Sequence, residues 1–320
     1  MPIYVGQLSF IDALTYPVYS YQKGQFKPVL SPREGITDQF IKQYATEVSR
    51  EIYIHYRDYE QMRESISEGL TQLSRSLSMG DSVKKTSRHA GLLTLQLGQL
   101  YDNPYDDQLL TSQFQSSKNL GQFLLTDKEI VHPLYQNVLK QGHDFVLAQP
   151  LLSSLLLLNF LQNVSMFSGK EIQSLFLASY FKDMGMSFVP QSRRNIDELE
   201  AADHKVLDLH AEQSVKLLRG RVPLPENYLT MIENHHFMNA KIAKLASHQE
   251  VKDGEFIYGI ETTLLSAFDL LVAMTSDRPY RKADSIYRAL ELLKLTISKD
   301  YPKEYRSIVL FIRSFFKNMP

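Results

Sequence analysis

The apolar positions of the chain fall into two regimes. In the segment "YPVYSYQKGQFKPVLSPREGITDQFIKQYATEVSREIYIHY", from Tyr16 to Tyr56, Tyr19 and Tyr21 alternate with the polar Ser20 and Gln22, and Gly24 follows. Alternation at period two marks a strand with one covered face, and the glycine supplies a turn, so a strand or hairpin is predicted here. A helical stretch from Gln39 to Val48 comes next, and Ile52 and Ile54 predict another strand. These pieces describe a small α/β module. After Tyr59 the period changes: Met62, Ile66, Leu70, Leu73 and Leu77 recur every three or four residues, which predicts a helix leading toward the rest of the chain.

Between Tyr101 and Lys128 the pattern weakens into the polar patches "YDNPYDDQ" and "TSQFQSSKN", which suggests a boundary near residue 125. The expected division is a module with its connecting helix over residues 1–125 and a second domain over 126–320. That second part is periodic throughout, with runs at Leu151–Val164, Ile172–Phe181, His204–Leu218, Leu229–Leu245, Glu261–Met274 and Ser285–Ile297. Helices in series with short links predict an all-α bundle whose function lies at facing positions inside it. The most apolar stretch, "LLSSLLLLNFL" from Leu151, is too short to span a bilayer and carries Ser153, Ser154 and Asn159, so it reads as a buried helix. No internal repeat is found.

Composition narrows the classes of function. The 320 residues are 43% hydrophobic, enough for one large core or two ordinary ones. The net charge of −1 and the pI of about 6.8 argue against a broad electrostatic footprint, so neither a nucleic acid polymer nor an anionic membrane is an expected partner. Cysteine is absent, which removes disulfides, thiolate chemistry and cysteine-held metals. Any metal must be held by His, Asp, Glu or neutral oxygen donors. The start, "MPIYVGQLSF", has no basic region followed by an apolar core, and a cytoplasmic location is expected.

Four features carry candidate chemistry: Asp183 in "SYFKDMGMSFVP", His210 in "LDLHAEQS", the pair His235-His236 in "MIENHHFMN", and Asp269 in "LLSAFDLLVAMTSDRPYR". Each lies in an apolar helical pattern, and a carboxylate there is costly unless it is paired, hydrogen-bonded or metal-bound. Asp269 is the clearest case, with Leu264, Leu265, Phe268, Leu271 and Val272 around it. Each has a bland alternative. Asp183 would cap a turn at a helix end, and His210 would be a packed, hydrogen-bonded histidine. Neighbours on a helix point about 100° apart, so only one of His235 and His236 need face the core. Asp269 would cap, or pair with Arg278 or Arg281.

Taken in order, these elements resemble the HD-GYP family, the helical HD-superfamily phosphodiesterases that act on cyclic di-GMP. "FDLLVAMTSDRPYRKA" is similar to the family's "VADVFDALTSDRPYRKA", with Asp269 on the metal-binding aspartate. "KDMGMSFVP" aligns without a gap on "HDIGKIGIP", putting Asp183 on the bridging aspartate and Pro190 on the final proline. "HAEQSVKLL" aligns on "HPEIGAEIL", putting His210 on the lone histidine ligand, and His235 and His236 fall on the paired histidines. The resemblance covers roughly residues 130 to 300. It implies a mainly α protein, in which an all-α HD-superfamily bundle follows a small α/β module like the one that precedes some family members. It also implies two divalent metals about 3.5–4 Å apart with Asp183 bridging them, water activated near neutral pH, and charge neutralised on the phosphodiester. Iron is the metal the resemblance favours, while manganese or zinc would also accept His/Asp ligands.

The chain departs from the family at positions that bear on activity. Lys182 stands where the histidine of the HD pair is expected. An ammonium with an ordinary pKa of about 10.4 has donors and no lone pair, so Lys182 is expected to hold an anion or replace a cation's charge beside Asp183 rather than ligate metal. The bland alternative is a side chain that snorkels to solvent. A second expected histidine aligns with Gln149, whose amide oxygen is a weak ligand. His143 lies near it at the wrong spacing and reads as surface or structural. Met186 replaces a lysine, and the "HHExxDGxGYP" segment becomes "HHFMNAKIAKLASHQEVKDGEFIYG", where Asp253-Gly254 and Tyr258-Gly259 read as loop and turn.

Asp183, His210, His235, His236 and Asp269 thus remain as strong ligands, with Gln149 as a sixth, weaker one. Asp183 and Lys182 are the candidate catalytic groups. Lys182, Arg278 and Arg281 are the candidate substrate contacts. The leading expectation is a divergent cyclic di-GMP phosphodiesterase with weak or absent hydrolysis. The alternatives are a non-catalytic nucleotide sensor or scaffold, whose N-terminal module engages a protein partner, and an HD phosphohydrolase with another substrate.

Overall fold

The structure, a computed structural model, describes residues 2–11, 14–37, 39–41, 43, 51–140, 145–189, 201–250, 252, 254–277 and 282–317. Four short strands form one antiparallel sheet: β1 (Pro2–Tyr4), β2 (Val18–Gln22), β3 (Gln25–Leu30) and β4 (Glu51–Ile54), in the order β1-β4-β2-β3. The expected hairpin is β2–β3, with Gln22 opposite Gln25. Lys23 and Gly24 both take positive φ, 49° and 80°, the geometry that matches a two-residue turn to the twist of its strands. Ile52 and Ile54 lie in β4 as expected, and they bury with Ile3, Val18 and Leu30 on the covered face. Of the predicted helix from Gln39 to Val48, residues 39–41 and 43 are helical and the rest lies outside the described residues.

Twelve α-helices follow among the described residues: α1 (Tyr59–Ser76), α2 (Ser82–Asp102), α3 (Asp107–Thr126), α4 (Val131–Lys140), α5 (Phe145–Gln162), α6 (Gly169–Phe181), α7 (Ala201–Leu218), α8 (Glu226–Glu233), α9 (Phe237–Ala246), α10 (Ile260–Thr275), α11 (Ile286–Ile297) and α12 (Pro302–Phe316). The chain is thus mainly α, a helical bundle behind a small sheet, as the sequence predicts. On α1 the stripe Met62, Ile66, Leu70 and Leu73 is buried. Side-chain caps start several helices: Asp81 accepts from Lys84 N, Asp106 from Leu109 N and Ser285 from Arg288 N, while Ser168 and Glu171 complete a capping box at α6.

Three expectations are corrected by packing. The polar stretch after Tyr101 contains a helix, α3, in which Gln113 and Ser117 are buried with partners rather than left to solvent; Gln113 Nε2 donates to Leu93 O at 2.9 Å and Tyr180 Oη at 2.6 Å, and Ser117 Oγ donates to Gln113 O at 2.8 Å. The apolar helix α5 begins before Leu151, and its 18 residues are long and apolar enough to cross a membrane. It packs instead against α2, α4, α6 and α10, a mostly buried core helix. Finally, the run from Leu229 to Leu245 is two helices, broken at Asn234–His236. Asn234 (φ −103°, ψ 10°) and His236 (φ −96°, ψ 9°) occupy the sparsely allowed bridge region, where many active-site residues sit.

Candidate metal centre

Five segments converge on one buried spot: the C-terminal end of α6 with the turn after it, α7, the α8–α9 break, α10 and α5. The capping box sets the start of α6 and Lys182 is its C-terminal cap residue, so Lys182 and Asp183 leave the helix directly into a single 3₁₀ turn, Met184–Phe188. Asp183 makes no cap bond with its side chain, which excludes the bland reading of a turn-capping carboxylate. Its carbonyl instead accepts from Tyr101 Oη at 3.0 Å, and its carboxylate faces the histidines and Lys182.

The turn is seated on α7 by close backbone approach. A Cβ on Gly185 would overlap the carbonyl oxygen of His210, so only glycine fits there. Gly185 N donates to Ser214 Oγ at 2.7 Å, and that hydroxyl donates to His210 O at 2.8 Å. One serine therefore fixes the spacing between Asp183 and His210. Gly185→Ala is expected to cost about 1–3 kcal/mol by overpacking and to weaken metal binding about 10–100-fold by moving two ligands apart. Ser214→Ala is expected to cost about 1–3 kcal/mol because the Gly185 N–H is left buried and unpaired. Thermal unfolding and a metal titration check both; wild-type behaviour of Gly185→Ala would mean that the turn is free to shift.

Asp183, His210, His235 and His236 each direct one donor atom to a common point, all within 4.8 Å of one another. Asp183 Oδ1 lies 3.4 Å from His210 Nε2 and 3.2 Å from His235 Nε2, and the Nε2 atoms of His210 and His236 are 3.0 Å apart. Ligands about 2.1 Å from a tetrahedral ion stand about 3.4 Å from one another, so the spacing fits a metal. The tautomers fit as well. His235 Nδ1 donates to Ile232 O at 2.6 Å and His210 Nδ1 donates to Leu207 O, which leaves the Nε2 lone pairs pointing inward. His235 Nε2 is buried and, although near Asp183 Oδ1, has no aligned hydrogen-bond partner. His236 differs: Asn239 Nδ2 donates to its Nδ1 at 3.0 Å, so its Nε2 carries the proton shared with His210 Nε2, a proton that a bound cation would displace.

The break between α8 and α9 answers the question of the adjacent histidines. Their rings lie 3.8 Å apart between centroids, and both face the site because they are not on one continuous helix. Burial, reinforced by His235 and His210, holds His236 well below the usual imidazole range, so its ring is neutral. Burial lowers His210 too, but the Asp183 carboxylate outweighs it and raises the ring. Asp183 itself is pushed up by burial and pulled further down by the Lys182 ammonium, His210 and His235, so it stays a carboxylate well below its usual range.

Of the readings offered for Lys182, the structure favours the one in which it supplies a cation's charge beside Asp183. It is fully buried rather than snorkelling, and its described partners are carboxylates rather than an external anion: Nζ bonds Asp183 Oδ2 and lies 2.8 Å from Asp269 Oδ1. Burial lowers the ammonium, but Asp183 and Asp269 outweigh it and hold its pKa above the usual lysine value. Gln149 differs from the expected ligand. Its Nε2 donates to the same Asp269 Oδ1 at 2.7 Å, which turns the amide oxygen away from that carboxylate. Asp269 is buried on α10 and engaged by Lys182 and Gln149, and it lies outside the group of four residues that could hold an ion. Arg278, Arg281, His143, Asp253 and Pro190 lie outside the described residues. Sequence reasoning missed Tyr101 and Ser214, whose roles are set by contacts across 82 and 29 residues and leave no local signal.

No protein-family model matches the sequence, and no curated protein matches it. The fold nonetheless belongs to a known class. Among solved structures the chain is similar to Bd1817, an HDG"Y"P protein from Bdellovibrio bacteriovorus, with a TM-score of 0.70 over 99% of both chains at 13% sequence identity. The likeness is one of fold, here a helical bundle behind a small N-terminal sheet, and within that bundle the buried Asp/His group is a set that could hold a metal ion.

Proposed function

We propose that the protein is a metal-dependent HD-type phosphohydrolase in descent, whose ligand is cyclic di-GMP or a related phosphodiester and whose hydrolysis is weak or absent. The observation that carries this reading is the inward convergence of Asp183 Oδ1 and the histidine Nε2 atoms of 210, 235 and 236 on an HD-type fold. A divalent ion held there, iron by preference, would supply positive charge against a phosphodiester and acidify a water. The chain's own residues hold the ligand tautomers through Leu207 and Ile232, keep Asp183 ionised, and exclude solvent from Lys182. Arg278 and Arg281 are the proposed phosphate contacts.

A sensor or scaffold is the second reading, and Lys182 favours it. A side chain whose Nζ is taken up by two carboxylates offers little to a substrate phosphate, and Met186 supplies no charge where the resemblance expects a lysine. Mispositioning by about 1 Å can cost on the order of 10²-fold in rate. With fully metallated protein, conversion of cyclic di-GMP to linear product is expected to be undetectable or far below an ordinary kcat of about 10 s⁻¹. Turnover near that value would overturn the weak-hydrolysis reading. Binding of cyclic di-GMP without turnover, measured by calorimetry, would favour the sensor. In that case the N-terminal module, residues 1–125 in our division, is the proposed protein-docking part.

A further inference from the structure

Resting on the reading of this centre as a metal site, we infer that it holds a single metal ion and that Lys182 is a built-in cation occupying the position of a second. The two oxygens of Asp183 face different ways. Oδ1 looks toward His210 and His235, whereas Oδ2 bonds the Lys182 ammonium. The ammonium lies 2.8 Å from Asp269 Oδ1, and Gln149 Nε2 approaches that same oxygen at 2.7 Å. Asp183 is thus shared between a metal side and a lysine side, and Asp269 belongs to the lysine side.

A dication on that side would have to approach the same two carboxylate oxygens to about 2.0–2.2 Å, in direct contact with an ammonium those oxygens already hold. Like charges at such a distance, away from water, exclude one another. Lysine with no solvent exposure has nowhere to withdraw to. The donor inventory agrees. The histidine side offers the Nε2 lone pairs of His210 and His235, a third ring, His236, whose Nε2 proton a metal would displace, and one carboxylate oxygen, while the lysine side has, among the described residues, the carboxylates and an amide that presents its N–H₂. The ammonium therefore does what a second ion would do structurally: it neutralises and spaces Asp183 and Asp269. It brings no open coordination position to a ligand.

The test uses the full chain, loaded in separate samples with excess Fe(II), Mn(II) or Zn(II), desalted, and analysed for metal per chain. Wild-type protein is expected to retain one ion, and the Mn(II) form to give the electron paramagnetic resonance signal of an isolated ion rather than a coupled pair. Asp269→Asn is expected to keep that ion with its dissociation constant changed less than about threefold, since Asp269 faces the ammonium. Lys182→His is expected to take up a second ion. Two ions in the wild type, or loss of the ion in Asp269→Asn, would overturn the inference and leave the metal-site reading standing. No retained ion in the wild type would overturn that reading itself. A folded Lys182→His that stays at one ion would also overturn the role given to the ammonium. If that variant fails to fold, the wild-type stoichiometry, the spectrum and Asp269→Asn decide the matter alone.

Discussion

Asp183→Ala is expected to abolish metal retention and to destabilise the metal-free protein as well. The first effect follows from Asp183 Oδ1 being the sole anionic donor of the converging set; the other three are neutral imidazoles when they ligate. Loss of an outer-shell partner of a metal ligand typically costs 10–100-fold in affinity, so removing the carboxylate itself is expected to cost at least about 100-fold. The second effect follows from its other oxygen. Without Asp183 the fully buried Lys182 keeps, among the described residues, Asp269 as its carboxylate partner, and breaking a buried ion pair from one side typically costs about 3–5 kcal/mol. Asp183→Asn separates the two, because the amide preserves volume while removing the charge. Metal analysis after desalting and denaturant unfolding of chelated protein measure both. Undiminished metal in either variant would show that Asp183 is not a ligand.

The legible part of this protein was what rests on periodicity and on residue type. Tyr19, Tyr21 and Gly24 announce the hairpin because strand alternation and turn chemistry are local, and Met62 through Leu73 announce α1 for the same reason. Elements escaped where tertiary contacts overrode the local pattern. α3 reads as polar linker because its buried Gln113 and Ser117 look like surface residues until Leu93 O and Tyr180 Oη take up the Gln113 amide and the helix's own carbonyls take up the Ser117 hydroxyl. The break at Asn234–His236 is hidden by the continuing apolar pattern around it, with no Gly or Pro to mark a stop.

At the site, the four converging residues were all visible as polar groups in apolar runs, and the order of motifs put them in one place. Which atom faces which was not visible. Nothing in "KDMGMS" tells that Asp183 divides its two oxygens between histidines and lysine, or that Gln149 would turn its amide nitrogen to Asp269 rather than its oxygen to a metal. Those outcomes depend on the placement of five segments drawn from across the chain. Gly185 falls between these cases: a glycine after a helix is an ordinary turn signal, but its reason here is the His210 carbonyl against it.

Lys182→Met is expected to destabilise the metal-free fold as strongly as Asp183→Ala does. Methionine replaces the aliphatic stem at similar length, so lost packing is small. What changes is charge: Asp183 and Asp269, both buried, are left facing a vacated position with no cation between them. Uncompensated charge of this kind typically costs about 3–5 kcal/mol, a large fraction of the 5–15 kcal/mol by which folded proteins exceed their unfolded states. Chelated Lys182→Met is therefore expected to unfold at markedly lower denaturant than chelated wild type. The double variant Lys182→Met/Asp269→Asn is expected to recover part of the loss, because one of the two stranded charges is removed and the remaining amide still accepts from Gln149. Equal unfolding midpoints for chelated wild type and Lys182→Met would mean that the ammonium does not compensate the two aspartates.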